Sequence, residues 1–346
     1  MKVVLLSPEL ADAYEGFLKE EPDALLYHSL RYRSFLEALL GASSEYWLVL
    51  DNEDQIAGVL PLMRASGSLG DVLNSLPYYG SNGGILASSV QAEDSLRQHY
   101  NQLILAETVA AATLIANPMK SAGQVEGLSH TVTDYRIGQL TSLKNQSIES
   151  LLGYFDGSTR RNIKKAERSG VTVSINNTAW SFLEECHQEN MASIGGNAKS
   201  HQFFQLVPRY FRANHDYKLY VAEIEGKPVA GLLLFYYNQV IEYYTPVIRQ
   251  DYRTEQPLAY LIFEAMKDGL QQGYHWWNWG GTWPTQEGVY RFKKKWGAQD
   301  LKYMYYVQIN NPALYEQSPE ELLREYPGFY LLPFEALKST KEKVSL

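Results

Sequence analysis

At 346 residues the chain is too long for one ordinary hydrophobic core and fits two domains. Its 45% hydrophobic and 20% charged content is globular, and a net charge of −8 excludes a surface that attracts nucleic acid or anionic membrane over its whole extent. The lone Cys186 rules out an internal disulfide and has no metal-ligand spacing, and no apolar run approaches the ~20 residues of a spanning helix. Met1-Lys2 leads straight into Val3-Val4-Leu5-Leu6 without a signal peptide, so the expected compartment is cytoplasmic, with at most peripheral membrane contact.

After a strand at 3–6, residues 12–21 and 29–40 read as helices, the second with Tyr32, Phe35, Leu36 and Leu39 on one side. Residues 45–50 and 55–63 form a hairpin around the polar turn Asp51-Asn-Glu-Asp54. The stretch Leu76-Pro-Tyr-Tyr-Gly-Ser-Asn-Gly-Gly-Ile-Leu86 is a glycine-rich loop whose backbone can approach a ligand or another strand; its spacing is not a P-loop, and Tyr79 is its candidate substrate contact. A helix over 92–110 and strands at 113–116 and 135–140 complete a first unit, and residues 144–146 read as a linker.

The second unit opens with a helix at 147–154 and a basic helix capped by Ser158. In that helix Arg160, Arg161, Lys164, Lys165 and Arg168 face one acid, Glu167, and Arg160 lies about 60° from the inward Ile163. A strand at 171–175 and helices at 179–193 and 201–214 follow, then strands at 219–224, 229–237 and 240–246. Here the chain repeats itself: Ile56-Ala-Gly-Val-Leu-Pro-Leu62 after one polar turn matches Val229-Ala-Gly-Leu-Leu-Leu-Phe235 after another. Chance alternation in two hairpins is the simpler alternative.

The densest segment is Gly273 to Gly297. A buried strand at 275–279, the Gly280-Gly281 turn and a short basic helix follow one another, with Val289, Phe292 and Trp296 as the inward stripe. Lys293 falls about 40° from Val289 and so at the edge of a cavity, whereas Lys294 and Lys295 point to the flanks and solvent. A lysine beside an aromatic stripe is either a snorkelling stem or a functional charge. Beyond it, Ser318, Pro319 and Glu321 open a capped helix at 319–326, and Tyr330-Leu-Leu-Pro-Phe334 is an apolar anchor that packs on the core or meets a partner or membrane.

Three segments, Ser158-Thr-Arg-Arg-Asn-Ile-Lys-Lys-Ala-Glu-Arg-Ser-Gly170, Trp279-Gly-Gly-Thr282 and Gly288-Val-Tyr-Arg-Phe-Lys-Lys-Lys-Trp-Gly297, resemble the Fem family of peptidoglycan-bridge aminoacyltransferases within the GNAT-like acyltransferase superfamily. The resemblance covers nearly the whole chain. It implies an α/β fold of mixed sheets in two tandem GNAT-like domains, 1–146 and 147–311, followed by a C-terminal extension at 312–346. Arg160 matches the family's Thr-Arg-x-Asn-Ile motif near the substrate phosphates, and Lys293 its Phe-Lys motif near the reacting centre. Tyr27 to Phe35 is similar to the family's entrance helix, with Tyr32 where Trp is usual and Arg33 as a phosphate contact. Trp279, Thr282 and Arg291 in the resembling segments are further candidate substrate contacts.

One stretch departs from the superfamily. Where GNAT enzymes cradle the pyrophosphate of acyl-CoA with glycines, Arg253-Thr-Glu-Gln-Pro-Leu-Ala259 has Gln256, Pro257 and Leu258, and Pro257 has no N–H to offer. The expected activity is N-acyl transfer onto an amine of a cell-envelope precursor, with aminoacyl-tRNA favoured over an acyl thioester as donor and a nucleotide- or lipid-linked sugar or peptide as acceptor. An acyl-CoA enzyme acting on an amino sugar of a surface polysaccharide and a non-catalytic binding module are the alternatives. No metal, no cofactor and no DNA partner is expected, and no Ser/His/Asp triad or HExxH motif points to a hydrolase.

Overall fold

Alternating apolar residues around short polar turns build the first sheet, in a computed structural model that describes residues 1–78, 83–120 and 126–337. Lys2–Leu5 (β1) is followed by helices Ala11–Glu20 (α1) and Leu30–Leu40 (α2), the latter capped by the Ser29 hydroxyl, which accepts from the Tyr32 N–H. Ser43–Leu50 (β2) and Ile56–Gly67 (β3) then pair across a turn in which Asp51 Oδ1 accepts from the N–H groups of Glu53 and Gln55. Gly70–Asn74 (β4) extends the meander and Leu86–Ala87 (β5) pairs with β3. Helix Val90–Leu103 (α3) crosses to Val109–Ile115 (β6), parallel to β4. The alanine-rich start of β6 reads as a helix end in the sequence, yet all seven of its residues are buried, and two-sided burial overrides alanine's helix preference.

The second sheet repeats this plan. After Val132–Ser142 (β7), Ile148–Tyr154 (α4) and Gly157–Arg168 (α5) lead to the edge strand Thr172–Ile175 (β8). Helices Trp180–Ser193 (α6) and His201–Tyr210 (α7) precede Tyr217–Ile224 (β9), Lys227–Tyr237 (β10) and Val240–Ile248 (β11), an antiparallel meander. Helix Pro257–Gln271 (α8) then crosses to Trp276–Thr282 (β12), parallel to β11, and Glu287–Lys294 (α9) follows. β3 and β10 both hold third place from the sheet edge, and the glycine of each Ala-Gly pair has close neighbours where a Cβ would stand. A Cβ on Gly58 would come within 2.9 Å of the Leu86 carbonyl, and one on Gly231 within 3.1 and 3.2 Å of Val247 and Phe182.

Each half gives its last strand away. Residues 1–137 with 301–346 form one compact unit and residues 138–300 the other. The distal part of β7 lies beside β12 in the second unit, and Gln299–Ile309 (β13) pairs antiparallel with β6 in the first. The divisions therefore fall inside β7 and β13 rather than at residues 146 and 311, because each strand completes the sheet that has an open edge beside its crossover strand.

The segment after β13 belongs to the first unit and is not a separate extension. Its helix Pro319–Glu325 (α10) begins with the expected capping box between Ser318 and Glu321. Tyr326, Leu331 and Leu332 are buried, Tyr326 donates to the Gly70 carbonyl at 2.8 Å, and Tyr330 donates to Asp134 at 2.6 Å. Arg136, itself paired to Asp134 at 2.7 Å, stacks 4.6 Å over Tyr305. The apolar anchor thus packs on the core. Among the described residues no helix is long and apolar enough to cross a membrane.

Candidate functional site

The parallel strands β11 and β12 pair only from Val240 to Glu242 and Trp276 to Asn278, and then part. Just beyond that point Leu233 is opposite Thr245 while Leu234 is opposite Tyr243, so Tyr244 is an extra, bulged residue. A bulge of this kind re-aims side chains. Tyr243 turns towards the aromatic wall of Trp277, Trp279 and Trp296, its ring centroid 4.8 Å from that of Trp279. Tyr244 turns the other way, onto Phe203 and Phe235.

On the Tyr243 side lies a cavity of about 500 Å³. Helix α5 contributes Thr159 and Asn162, the head of α8 contributes Gln256, Leu258 and Ala259, and α9 contributes Arg291, Phe292, Lys295 and Trp296. With Arg253, three cations line it and, among the described residues, no carboxylate does. Pro257 is the first residue of α8, and Gln256 before it holds φ at +60° without capping the helix, its side chain instead donating to the Arg253 carbonyl at 2.8 Å. The positive end of a helix dipole thus faces the cavity without a glycine loop around it.

Helix α9 sits differently from its sequence reading. Val289, expected inward, is 43% exposed; Phe292 is 37% exposed yet packs edge-on on Trp279 and Trp296, with centroids 5.9 and 6.4 Å apart, whereas Lys293 is 6% exposed and Trp296 1%. The helix is only eight residues long, and Val289 in its first turn is left outside the core while Phe292 reaches the cavity wall. Lys293 instead points at the end of β12. Its ammonium donates to Thr282 Oγ1 at 2.7 Å and to the carbonyls of Gly280 and Gly281 at 3.3 Å, and Thr282 in turn donates to Gln139 at 3.1 Å. Burial lowers the Lys293 pKa to about 8.

The other expected contacts divide into three groups. Thr282 and Lys293 touch, Trp279 is a buried wall residue whose indole donates to Thr141 at 2.9 Å, and Arg291 lines the cavity while pairing with Glu287 at 2.6 Å. Arg160 is exposed on α5, 3.5 Å from the Leu152 carbonyl, and is not among the cavity-lining residues. The cap of α5 is Asp156 rather than Ser158, because the Asp156 carboxylate accepts from the Ser158 N–H at 2.7 Å. In the first unit Tyr32 is fully buried against Tyr27, and Arg33 pairs with Glu37 at 3.6 Å and lies 5.6 Å over Tyr46. Tyr79 lies outside the described residues.

Two features escaped the sequence reading. Lys295, expected in solvent, is exposed but lines the cavity. Lys199 is a buried cation on the Tyr244 side, 5.4 Å from the Tyr244 ring and 5.7 Å from that of Phe203. Its N–H donates to His187 Nε2 at 3.0 Å, its carbonyl accepts from Gln188 at 3.0 Å, and burial lowers its pKa to about 8. The only sequence trace of this group is the i, i+4 spacing of Lys199 and Phe203.

Residues 156–294 match the family model described as an acetyltransferase (GNAT) domain. No curated protein matches the chain in sequence. Among solved structures, FemX is similar over 91% of this chain and 99% of its own, with a TM-score of 0.70 and 14% identity. The C-terminal domain of a putative lysylphosphatidylglycerol synthetase from Agrobacterium fabrum is similar over 94% and 99%, with a TM-score of 0.57 and 11% identity. A tandem GNAT protein from the clavulanic acid biosynthesis pathway is similar over 89% and 98%, with a TM-score of 0.50 and 10% identity. Residues 156–294 thus form a GNAT acetyltransferase-type domain built around parting strands and a helix-headed cavity, in a fold similar to that of FemX along nearly its whole length.

Proposed function

We propose that this N-acyltransferase moves an aminoacyl group from aminoacyl-tRNA to an amine of a nucleotide- or lipid-linked cell-envelope precursor. The observation that carries the choice of donor is the make-up of the cavity. Arg253, Arg291 and Lys295 supply side-chain charge beside a helix head that starts with Pro257, which suits a terminal phosphodiester better than a pyrophosphate needing a nest of backbone N–H groups.

In the transfer the acceptor amine attacks the ester carbonyl. A C–N bond forms, the C–O bond to the ribose breaks, and the amine's proton ends on the released ribose hydroxyl. The site must orient two substrates and offset oxyanion charge, and it needs no protein nucleophile. Lys293, buried at the end of β12, is the charge assigned to the oxyanion. Arg160 and the further cations of α5 are assigned to phosphates of the substrates. Lys199 lies on the opposite face of β11 from the donor cavity and is assigned to an anionic group of the acceptor, which would approach from that face.

The test gives the full-length protein labelled aminoacyl-tRNA or labelled acetyl-CoA, each with a nucleotide-linked muropeptide. Label transferred only from the tRNA is the expected result. Transfer from acetyl-CoA alone would replace the donor, and retention of neither donor in a gel shift or by calorimetry would favour a binding module.

A further inference from the structure

We propose that the face carrying the turn into α9, the first turn of α9 and the end of α4 docks the protein on an anionic lipid surface. Four large apolar side chains stand out there: Tyr154 at 61% exposure, Val289 at 43%, Trp283 at 39% and Phe292 at 37%. They line the two ends of one short helix. Val289 and Phe292 are one turn apart on α9, residues 283–286 close the turn that starts it, and Gly297 just beyond its end packs on Tyr154, so closely that a Cβ there would come within 3.0 Å.

Charge surrounds this patch. The Asp156 N–H donates to the Lys295 carbonyl at 2.8 Å and joins the start of α5 to the end of α9, so that Arg161 and Lys295 both lie near the Asp156 carboxylate. Arg160, Arg161, Lys294, Lys295 and Arg291 share this part of the surface with the carboxylates Asp156, Glu287 and Asp300, and exposed Lys164, Lys165 and Arg168, against Glu167, extend the positive charge along α5. In a chain of net charge −8 such a stripe is a local exception. Aromatic and aliphatic side chains ringed by Arg and Lys fit the interface of an anionic bilayer, where rings enter the headgroup level and cations meet lipid phosphates.

RNA shares the phosphates but not the apolar layer. Trp283 and Phe292 could stack on bases, whereas Val289 has no π face and gains only where acyl chains displace water. Docking here would hold the cavity mouth, which Phe292 and Arg291 line, at the membrane surface. It would thereby favour a lipid-linked acceptor. That acceptor preference rests on the transfer reading above, whereas the docking itself does not.

The experiment is flotation of the full-length protein with vesicles of phosphatidylglycerol and phosphatidylcholine, against vesicles of phosphatidylcholine alone. Binding to the anionic vesicles is expected, lowered at least about tenfold by Trp283→Ser with Val289→Ser and by Arg161→Glu with Lys294→Glu, at unchanged melting temperature. Because flotation involves no donor and no transfer, a protein that floats yet transfers nothing refutes only the transfer reading. Absence of wild-type binding to the anionic vesicles, or equal binding by the Trp283/Val289 variant, overturns the docking. So does loss of tRNA retention in that variant with flotation intact, which would assign the face to RNA.

Discussion

Three adjacent lysines of one short helix have three different surroundings: Lys293 is buried against β12, Lys294 is exposed and 3.5 Å from Asp300, and Lys295 lines the cavity. Lys293→Met is expected to lower the transfer rate by about 10²–10³-fold, the usual order for losing one charge aimed at an oxyanion. Lys294→Met should stay within a fewfold and is a better control than Lys295, which lines the cavity. Wild-type rates in Lys293→Met would refute the catalytic assignment. A second expectation concerns pH. Lys293 and Lys199 have folded pKa values of about 8 against 10.5 for an exposed lysine, so the unfolded chain binds more protons there, and stability should rise as pH climbs from about 8 towards 10. Buried tyrosines such as Tyr243, held protonated above their ordinary value, reverse the slope at higher pH. Denaturant midpoints that stay flat between about pH 8 and 10, or that rise equally in a Lys199→Met, Lys293→Met variant, would contradict this.

At the level of elements, helix α9 marks where sequence reading ends. Period and composition identified its existence, its basic character and that Lys293 differs from its two neighbours, but placed Lys293 at a cavity edge, whereas it is buried against the end of β12. They did not reveal that its first turn clears the core, since the inward stripe of a helix is defined only where something packs on it. The bulge at Tyr244 was equally silent, because Tyr243-Tyr244 reads as plain alternation and the extra residue emerges only from pairing with β10. Lys199 stayed hidden for the same reason. By contrast the missing phosphate glycines at 253–259 were legible, as glycine's absence is visible residue by residue. The cations that stand in for them make a prediction. Gln replacements of Arg253, Arg291 and Lys295 should each weaken aminoacyl-tRNA retention several-fold and flatten its salt dependence, by about one phosphate contact per side chain. Weakening that is independent of salt would mean the cavity does not hold the nucleic acid's phosphates.

In the whole molecule the duplication was legible from the two Ala-Gly hairpins, because each glycine is demanded by a close neighbour and each hairpin by its polar turn. The exchange of last strands was not, since β7 and β13 look alike as alternating segments and nothing local says which open edge each will join. The tail follows from that exchange. Removing residues 312–346 strips Tyr326, Tyr330, Leu331 and Leu332 from the first unit and leaves Asn74, Asp134 and the Gly70 carbonyl short of partners. Its melting temperature should drop by roughly 10 °C or more, given several buried large side chains at about 2 kcal/mol each. An unchanged melting curve with altered vesicle binding would show that the tail serves a surface instead.

Strand exchange also sets an order of events on the ribosome. The second unit is one continuous piece, 138–300, whereas the first keeps β6 as an open edge until residues 305–309 have been made. The later-encoded half can therefore finish folding before the earlier one, and the nascent first half presents one open edge of a buried strand, apolar but for Thr113, throughout that wait. A fragment spanning 138–300 should unfold cooperatively by itself, while 1–137 should aggregate unless a peptide covering 299–309 is added to close its edge. A monomeric, cooperatively folding 1–137 would show that the returning strand comes too late to matter.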